Sequence, residues 1–225
     1  MLSTDEKALL DHFWEYLTPH KQRIFKENVR QRTRHVQLVV EDLYHAHNVS
    51  AILRSCECFG VQNIHVLTDG KHGNRHFQDM ARVARGAAQW LTIRQHASYS
   101  VCREELRSSG IRTVALSPHA DKTLYELRIQ EPLALVFGRE WEGVSAHIME
   151  DVDEQVRIPM YGFTESFNIS VTAALCLQDL TRRLRNTNLN WPLSEAEQET
   201  LLLDWARKAV RHSPYIEQRF REQRR

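Results

Sequence analysis

The sequence is poor in the features that mark exported and membrane proteins. It contains four cysteines in 225 residues, none of them in a CxxC pair. No apolar run approaches the roughly 18 residues that a membrane-spanning helix needs. Asp5 and Glu6 lie where a signal peptide would be basic. We therefore predict a cytoplasmic protein whose cysteines are reduced, lie in helices and serve as small core residues.

The sequence also lacks the motifs of two common kinds of site, a metal site and a nicotinamide-binding site. The chain has twelve histidines, but His72 and His76 at i,i+4 lack the glutamate of HExxH, and His45 with His47 has no evident third ligand. We predict from this that no metal is bound. No GxGxxG motif follows a predicted strand, which argues against a nicotinamide-dependent α/β enzyme.

The net charge of +1 hides a segregation of charge along the chain. Basic residues dominate two stretches, 20–35 and 205–225, in which acidic residues are few. Such basic flanks favour a polyanionic partner, although charged stretches commonly just keep helices in solution. A third stretch, 69–89, is rich in Gly, His and Arg without any period, which is typical of a functional or mobile loop.

The hydrophobic pattern predicts alternating strands and helices between two helical extensions. The strands are expected at 36–40, 64–67, 90–94, 112–116 and 133–138, with helices between them. Strands that alternate with helices form a mostly parallel sheet covered by helices on both faces. We therefore predict an α/β domain at 36–187, preceded by a helical extension at 1–35 and followed by another at 188–225.

Capping boxes mark the first helix of each extension. Ser3 with Glu6 precedes an amphipathic run over 4–17, and Ser194 with Glu197 opens a C-terminal helix. This second helix carries a partial apolar face formed by Leu201, Leu202, Trp205 and Val210. We expect that face to pack on the core domain or on a second subunit.

The segment 156–180 joins a short apolar strand to a long helix through a polar loop. Pro159 is expected to end the strand, and either Ser166 or Asn168 could cap the helix. The helix carries one apolar row and a second row beside it, formed by Val171, Ala174 and Leu175. This pattern predicts a helix that is buried on more than one side.

Two further polar clusters follow predicted strands, Asn48–Arg54 (NVSAILR) and Phe137–Val144 (FGREWEGV). Because binding sites in parallel sheets gather at the carboxyl ends of strands, we expect all three clusters to meet there. Each cluster also has an ordinary explanation. Asn48 could cap a helix, Arg54 could face solvent, and Glu140 could pair with a nearby arginine.

In this order the three clusters resemble the motifs of the SpoU-type (TrmH) RNA ribose 2′-O-methyltransferases of the SPOUT class. The matching segments are Asn48…Arg54, Gly138-Arg139-Glu140…Gly143 and Ile158-Pro159-Met160…Ser166-Phe167-Asn168-Ile169-Ser170-Val171. The resemblance covers about residues 36–187, and the flanks look most like the tRNA guanosine branch. Trp141 departs from the small or aliphatic residue expected inside the second motif.

The resemblance implies an activity, a cofactor and a fold feature. The activity is S-adenosylmethionine-dependent 2′-O-methylation of a ribose in RNA, without a metal, most readily at a guanosine in the tRNA D-loop. The fold feature is a C-terminal trefoil knot of the α/β-knot type. The residues implied in holding the cofactor, through main-chain groups, are Gly138, Ile158, Met160, Phe167 and Asn168.

The resemblance also implies how RNA is bound. We expect a homodimer in which the partner chain completes each RNA site, with the basic flanks and the stretch 69–89 against the RNA. Two alternatives stay open at this point. One is the same reaction on ribosomal RNA, and the other is a non-catalytic RNA-binding paralogue.

Arg54 is the residue that the resemblance places at the centre of catalysis. Asn48, Glu140, Ser166 and Asn168 are the supporting polar groups. In the family the matching arginine is treated as a general base, but a guanidinium stays protonated in almost any environment. We therefore expect Arg54 to clamp the phosphate beside the target ribose and to stabilise the developing alkoxide.

Overall fold

A computed structural model describes residues 1–42, 45–68 and 86–224, and these residues form two compact units. The larger unit spans Thr33–Trp191, and the smaller unit combines Met1–Arg32 with Pro192–Arg225. The two helical extensions therefore come together in one unit, which the sequence pattern did not indicate. The domain boundaries predicted at residues 36 and 187 stay a prediction.

The larger unit is built on a six-stranded sheet in which every neighbouring pair of strands is parallel. The strands are β1 (Val36–Glu41), β2 (Asn63–Leu67), β3 (Thr92–His96), β4 (Arg112–Leu116), β5 (Leu133–Phe137) and β6 (Glu154–Val156). Their order across the sheet is β3-β2-β1-β5-β4-β6. This arrangement confirms the predicted parallel α/β fold.

Helices cover both faces of the sheet. They are α3 (Ala46–Phe59), α4 (Tyr99–Ser108), α5 (Ala146–Met149) and α6 (Ile169–Arg185), with single 3-10 turns at Ala88–Trp90 and Leu124–Glu126. Alternate strand residues point to opposite faces, so Leu38 and Val40 join the core under α3 and α6. Val39 joins the core under α4 and α5 instead. The predicted helix stops at Gly60 and Gly110 are confirmed, because both glycines have positive φ.

Several boundaries differ from the predicted ones. β3 begins at Thr92, two residues later than expected, and the short helix α5 was not predicted. β6 ends at Val156, so Pro159 follows the strand instead of ending it. The predicted loop over 69–89 lies outside the described residues as far as residue 85, and its last residues enter the turn at Ala88–Trp90.

One face of α6 is exposed, which contradicts the prediction of burial on more than one side. Ala173, Cys176 and Leu177 are fully buried against the sheet and α3. Val171 and Leu175 of the second predicted row are 44% and 41% exposed. The apolar pattern was recognised correctly, but within the described ranges Val171 and Leu175 are left uncovered.

The loop after β5 is shaped by two glycines. Arg139 and Gly143 pair through two backbone hydrogen bonds of 2.9 and 3.1 Å, which closes a tight turn around residues 140–142. Gly143 has a φ of 71°, a value that other residue types rarely adopt. A Cβ atom at Gly138 would overlap the backbone of Gly143 and Val144. Only glycine at 138 allows the two ends of this loop to approach so closely.

The smaller unit consists of α1 (Thr4–Glu15), α2 (Pro19–Val29), α7 (Glu195–Ala209) and α8 (Ser213–Glu222). The capping boxes predicted for α1 and α7 are both confirmed. The ring of Trp205 on α7 lies edge-on to Phe25 at 5.5 Å between centroids, and the guanidinium of Arg32 lies over it at 5.2 Å. The prediction that the face of α7 packs on the core or on a second subunit is therefore wrong, since it packs on the N-terminal helices.

Much of the positive charge of the C-terminal stretch is neutralised within the smaller unit. Arg207 donates two hydrogen bonds to Glu217, and Arg221 donates to the same carboxylate. Hydrogen bonds from these two guanidiniums hold the pKa of Glu217 below its ordinary value. Two arginines of the C-terminal stretch, Arg207 and Arg221, are thus engaged within the smaller unit.

The cysteines are free, and all four lie in helices as predicted. Cys56, Cys102 and Cys176 are buried, whereas Cys58 is exposed, so the prediction that all four are core residues is wrong for Cys58. Among the helices of the described ranges, none is long and apolar enough to cross a bilayer.

We expect Gly138→Ala to lower the free energy of unfolding by about 3 kcal/mol or more, because the added methyl group must displace backbone and not a flexible side chain. Urea titration monitored by circular dichroism measures the change. The matched control is Gly162→Ala, since a Cβ there meets no atom within 4 Å. Equal unfolding midpoints for the two variants would contradict the steric role of Gly138.

Candidate functional site

The three polar clusters lie around the carboxyl ends of β1 and β5, which are neighbours in the middle of the sheet. From β1 the chain proceeds to β2 and β3 on one side, while β4 and β6 lie on the other side of β5. The strand order therefore reverses between β1 and β5. Such a topological switch point is where parallel α/β sheets form their binding crevices.

Hydrogen bonds join the three clusters through the side chain of Asn48. Its Nδ2 atom donates to Oε1 of Glu140 at 3.2 Å, and its Oδ1 atom accepts from Nδ2 of Asn168 at 3.2 Å. The same Glu140 oxygen accepts from the backbone N–H of His45 at 2.9 Å. Asn48 is only 6% exposed. A residue from each cluster therefore takes part in one connected network, in which Asn48 is buried, Glu140 is half-buried and Asn168 is exposed.

Asn168 serves two functions in this network. Its Oδ1 atom accepts from the backbone N–H of Ser170 at 2.8 Å, so Asn168 is the N-cap of α6. Its Nδ2 atom remains available to donate to Asn48. Asn48, in contrast, is not the cap of α3, because His45 holds that position and Asn48 lies within the first turn. The predicted alternative of Asn48 as a cap is wrong.

Glu41 is a residue of the site that sequence reasoning missed. Its buried carboxylate ends β1, accepts from the backbone N–H of Ser145 at 3.0 Å and lies 3.6 Å from Nε of Arg139. Arg139 also donates to Glu142 at 2.7 Å, and these acidic partners raise the pKa of its guanidinium. A glutamate that ends a continuous apolar strand was the signal that could have identified it.

Residues 158–167 form an irregular segment between β6 and α6. Within the described part of the chain, no peptide group of this segment hydrogen-bonds to another backbone group. Ile158 packs on the core, whereas residues 161–167 are exposed. Because backbone N–H and C=O groups need partners, this segment presents a row of main-chain donors and acceptors to water or to a ligand.

The remaining predicted site residues are close in the fold but are not hydrogen-bonded to the network. Arg54 is exposed on α3, off the buried face, and makes no ion pair or hydrogen bond to any described residue. It lies about 9 Å along the helix axis from Asn48. Ser166 and Phe167 lie in the exposed segment, and Met160 is half-buried there.

Trp141 does not disturb the second motif. Its side chain is 92% exposed, at the tip of the turn closed by Arg139 and Gly143. The turn therefore keeps its shape while this residue differs from the expected small or aliphatic one.

Comparison with known proteins identifies the family of this chain. The SpoU rRNA Methylase family matches residues 35–178. The tRNA (guanosine(18)-2′-O)-methyltransferase of Borreliella burgdorferi is 32% identical over 204 residues, which cover 90% of this chain and 92% of that protein.

Solved structures give the same result for the fold. The crystal structure of the A. aeolicus TrmH/SpoU tRNA modifying enzyme matches with a TM-score of 0.73 and 27% identity, covering 85% of this chain and 98% of that one. The SpoU methyltransferase AviRb from Streptomyces viridochromogenes, in complex with AdoMet, matches with a TM-score of 0.62 and 22% identity over 72% of this chain and 62% of that one. The chain belongs to the SpoU rRNA Methylase family.

Proposed function

We propose that this chain methylates the ribose 2′-hydroxyl of a guanosine in tRNA, with S-adenosylmethionine as the methyl donor. The main support is that hydrogen bonds join Glu140, Asn48 and Asn168 at the switch point of the sheet. Position 18 in the D-loop is the proposed target, because that position is named for the B. burgdorferi relative.

The cofactor is proposed to bind through main-chain groups of the second and third clusters. Gly138, Ile158, Met160, Phe167 and Asn168 are the residues concerned. Two observations support this assignment. The peptide groups of 158–167 make no hydrogen bond to the backbone of other described residues, and Gly138 has no room for a side chain. When bound, S-adenosylmethionine supplies an activated methyl group on a sulfonium. The trefoil knot implied by the resemblance is part of the same proposal.

Arg54 is proposed as the residue that acts on the substrate. Its exposed guanidinium has no acidic partner among the described residues, so it remains available for a phosphate group. In this position Arg54 would hold the RNA phosphate beside the target ribose. It would also stabilise the alkoxide that forms as the ribose 2′-hydroxyl loses its proton. Asn48, Glu140 and Asn168 would keep the loops in place, while Ser166 would contact the substrate or the cofactor.

The tRNA is proposed to contact exposed basic residues of the smaller unit. Arg23, Lys26 and Arg30 are exposed on and just after α2. Arg32 is buried beneath its contact with Trp205 and has a structural role instead. Phosphate contacts by exposed cations supply most of the affinity of proteins for nucleic acids. Residues 69–85, which were expected to join this surface, lie outside the described residues.

A homodimer is proposed as the active form, with the partner chain completing each RNA site. Support comes from an apolar stripe formed by Phe167, Val171 and Leu175, which are 44%, 44% and 41% exposed. These residues recur every fourth position and so lie on one side of α6 and its N-terminal approach. A second copy of the same stripe would remove this apolar surface from water. The cytoplasmic location is proposed together with this function, in keeping with four free thiols.

Incubation of unmodified tRNA and rRNA with the protein and S-adenosylmethionine tests the function directly. Mass spectrometry of ribonuclease fragments should find a single added methyl group on the ribose of guanosine 18 in tRNA. In the same assay Arg54→Ala should lower the rate about a hundredfold or more, which is the usual effect of removing one preorganised charge. Binding of S-adenosylmethionine, measured by calorimetry, should be unchanged.

The matched control is Arg107→Ala, since Arg107 is an exposed arginine on α4 without an ion pair in the described ranges. Methylation of rRNA alone would reject the tRNA proposal. Near-full activity of Arg54→Lys would reject the requirement for a planar guanidinium.

Leu175→Glu should weaken self-association at least about tenfold, because each protomer would bury a carboxylate in place of an apolar side chain. Sedimentation velocity over a range of concentrations measures the effect. Val101→Glu is the matched control, as it adds the same charge at an exposed apolar position of α4, outside the stripe. A wild-type chain that sediments as a monomer, or equal association of the two variants, would contradict the proposed interface.

A further inference from the structure

Three buried side chains with metal-binding atoms meet on the side of the sheet that faces α4. They are His65 on β2, His96 on β3 and Cys102 on α4, and each is at most 5% exposed. One ligand atom from each lies within 4.8 Å of the other two. None of the three belongs to the clusters that form the proposed methyltransferase site.

The two imidazole rings are held by oxygen acceptors on their outer sides. Nε2 of His65 lies 2.8 Å from Oε1 of Gln37, and Nδ1 of His96 lies 3.8 Å from Oε2 of Glu105. The amide of Gln37 is oriented by its own Nε2 atom, which donates to the carbonyl oxygen of Arg34 at 2.9 Å. The acceptor opposite Nε2 of His65 favours a proton on that nitrogen, whereas Glu105 lies beyond hydrogen-bond distance of His96.

The inner nitrogens, Nδ1 of His65 and Nε2 of His96, face each other at 2.8 Å. At this distance one inner nitrogen donates its proton to the other, and because Nε2 of His65 donates to Gln37, the inner donor is Nε2 of His96. A cation bound to both inner nitrogens would take the place of this proton. Burial lowers the pKa of His65 to about 4 and also lowers the pKa of His96.

We propose that Nδ1 of His65, Nε2 of His96 and Sγ of Cys102 bind one d10 cation, either Zn²⁺ or Cu⁺, as a structural site in the larger unit. Imidazole and thiolate are the ligands that both ions accept. The ligand set is different from the histidine pairs considered in the sequence, because the fold brings it together from residues 65, 96 and 102. This inference is independent of the proposed methyltransferase function.

The surroundings match those of metal-bound histidines. A histidine ligand usually donates its other ring N–H to a carboxylate or carbonyl oxygen; Gln37 lies at hydrogen-bond distance from His65, and the carboxylate of Glu105 lies 3.8 Å from Nδ1 of His96. Glu105 is held in turn by an ion pair with Arg94. Two nitrogen ligands of a tetrahedral zinc ion lie about 3.3 Å apart. The rings would therefore move apart by about half an ångström on binding.

Binding must also remove a proton from the thiol. Burial raises the pKa of Cys102 to about 12, so the metal–sulfur bond forms as the S–H proton is released to solvent. The proton on Nε2 of His96 must also leave that atom, and it moves to Nδ1 on the side of Glu105.

Titration of the metal-free full chain with Co²⁺, a coloured substitute for Zn²⁺, tests the site. One equivalent should give thiolate-to-cobalt charge-transfer absorption together with visible ligand-field bands, and Zn²⁺ should abolish both. Cys102→Ser should lose the charge-transfer band and bind at least tenfold more weakly. Cys58→Ser is the matched control, because Cys58 is a free but exposed cysteine, and its spectrum should equal that of the wild type.

An anaerobic titration with Cu⁺ in the presence of Zn²⁺ distinguishes the two cations, because the cation that binds more tightly occupies the site. A wild-type spectrum without the charge-transfer band, and no stoichiometric Cu⁺ binding, would overturn the proposal. The same conclusion would follow if Cys102→Ser kept the wild-type spectrum or if Cys58→Ser lost it. Since the wild-type and Cys58→Ser spectra are decisive by themselves, the test does not depend on the stability of Cys102→Ser.

Discussion

The side-chain amide of Asn48 is the contact on which the arrangement of the site depends. A buried amide must satisfy both its donor and its acceptor, and here each partner comes from a different loop. Glu140 also binds the backbone of His45, and Asn168 also caps α6. Movement of any one loop would therefore leave polar groups unsatisfied in the others, which makes the three clusters a single cooperative unit.

The sheet and the backbone provide what this network needs. Parallel pairing of β1 with β5 brings the loops after these two strands side by side, and Gly138 and Gly143 let the second loop fold back tightly. The ion pairs of Arg139 with Glu41 and Glu142 brace the same loop. The peptide groups of 158–167 make no hydrogen bond to the backbone of another described residue, so these donors and acceptors are available to water or to a ligand.

Local signals in the sequence predicted the local structure well. Capping boxes, glycine stops and apolar runs indicated the strands and most helices, and the three motifs indicated that distant polar residues would meet. The sequence could not show what each surface contacts. The face of α7 packs on α2, the row at Val171 and Leu175 remains exposed, and His65, His96 and Cys102 converge. Each of these outcomes depends on tertiary contacts, to which hydrophobic periodicity and residue spacing are insensitive.

The most direct measurement is a double-mutant cycle between Asn48 and Asn168, read as the free energy of unfolding. Asn48→Ala removes the central amide, and Asn168→Ser keeps an N-cap side chain while removing the donor to Asn48. If the amide joins the loops, the double variant should be less destabilised than the sum of the single variants, by about 1 kcal/mol. Effects that add to within about 0.3 kcal/mol would contradict the coupling of the clusters.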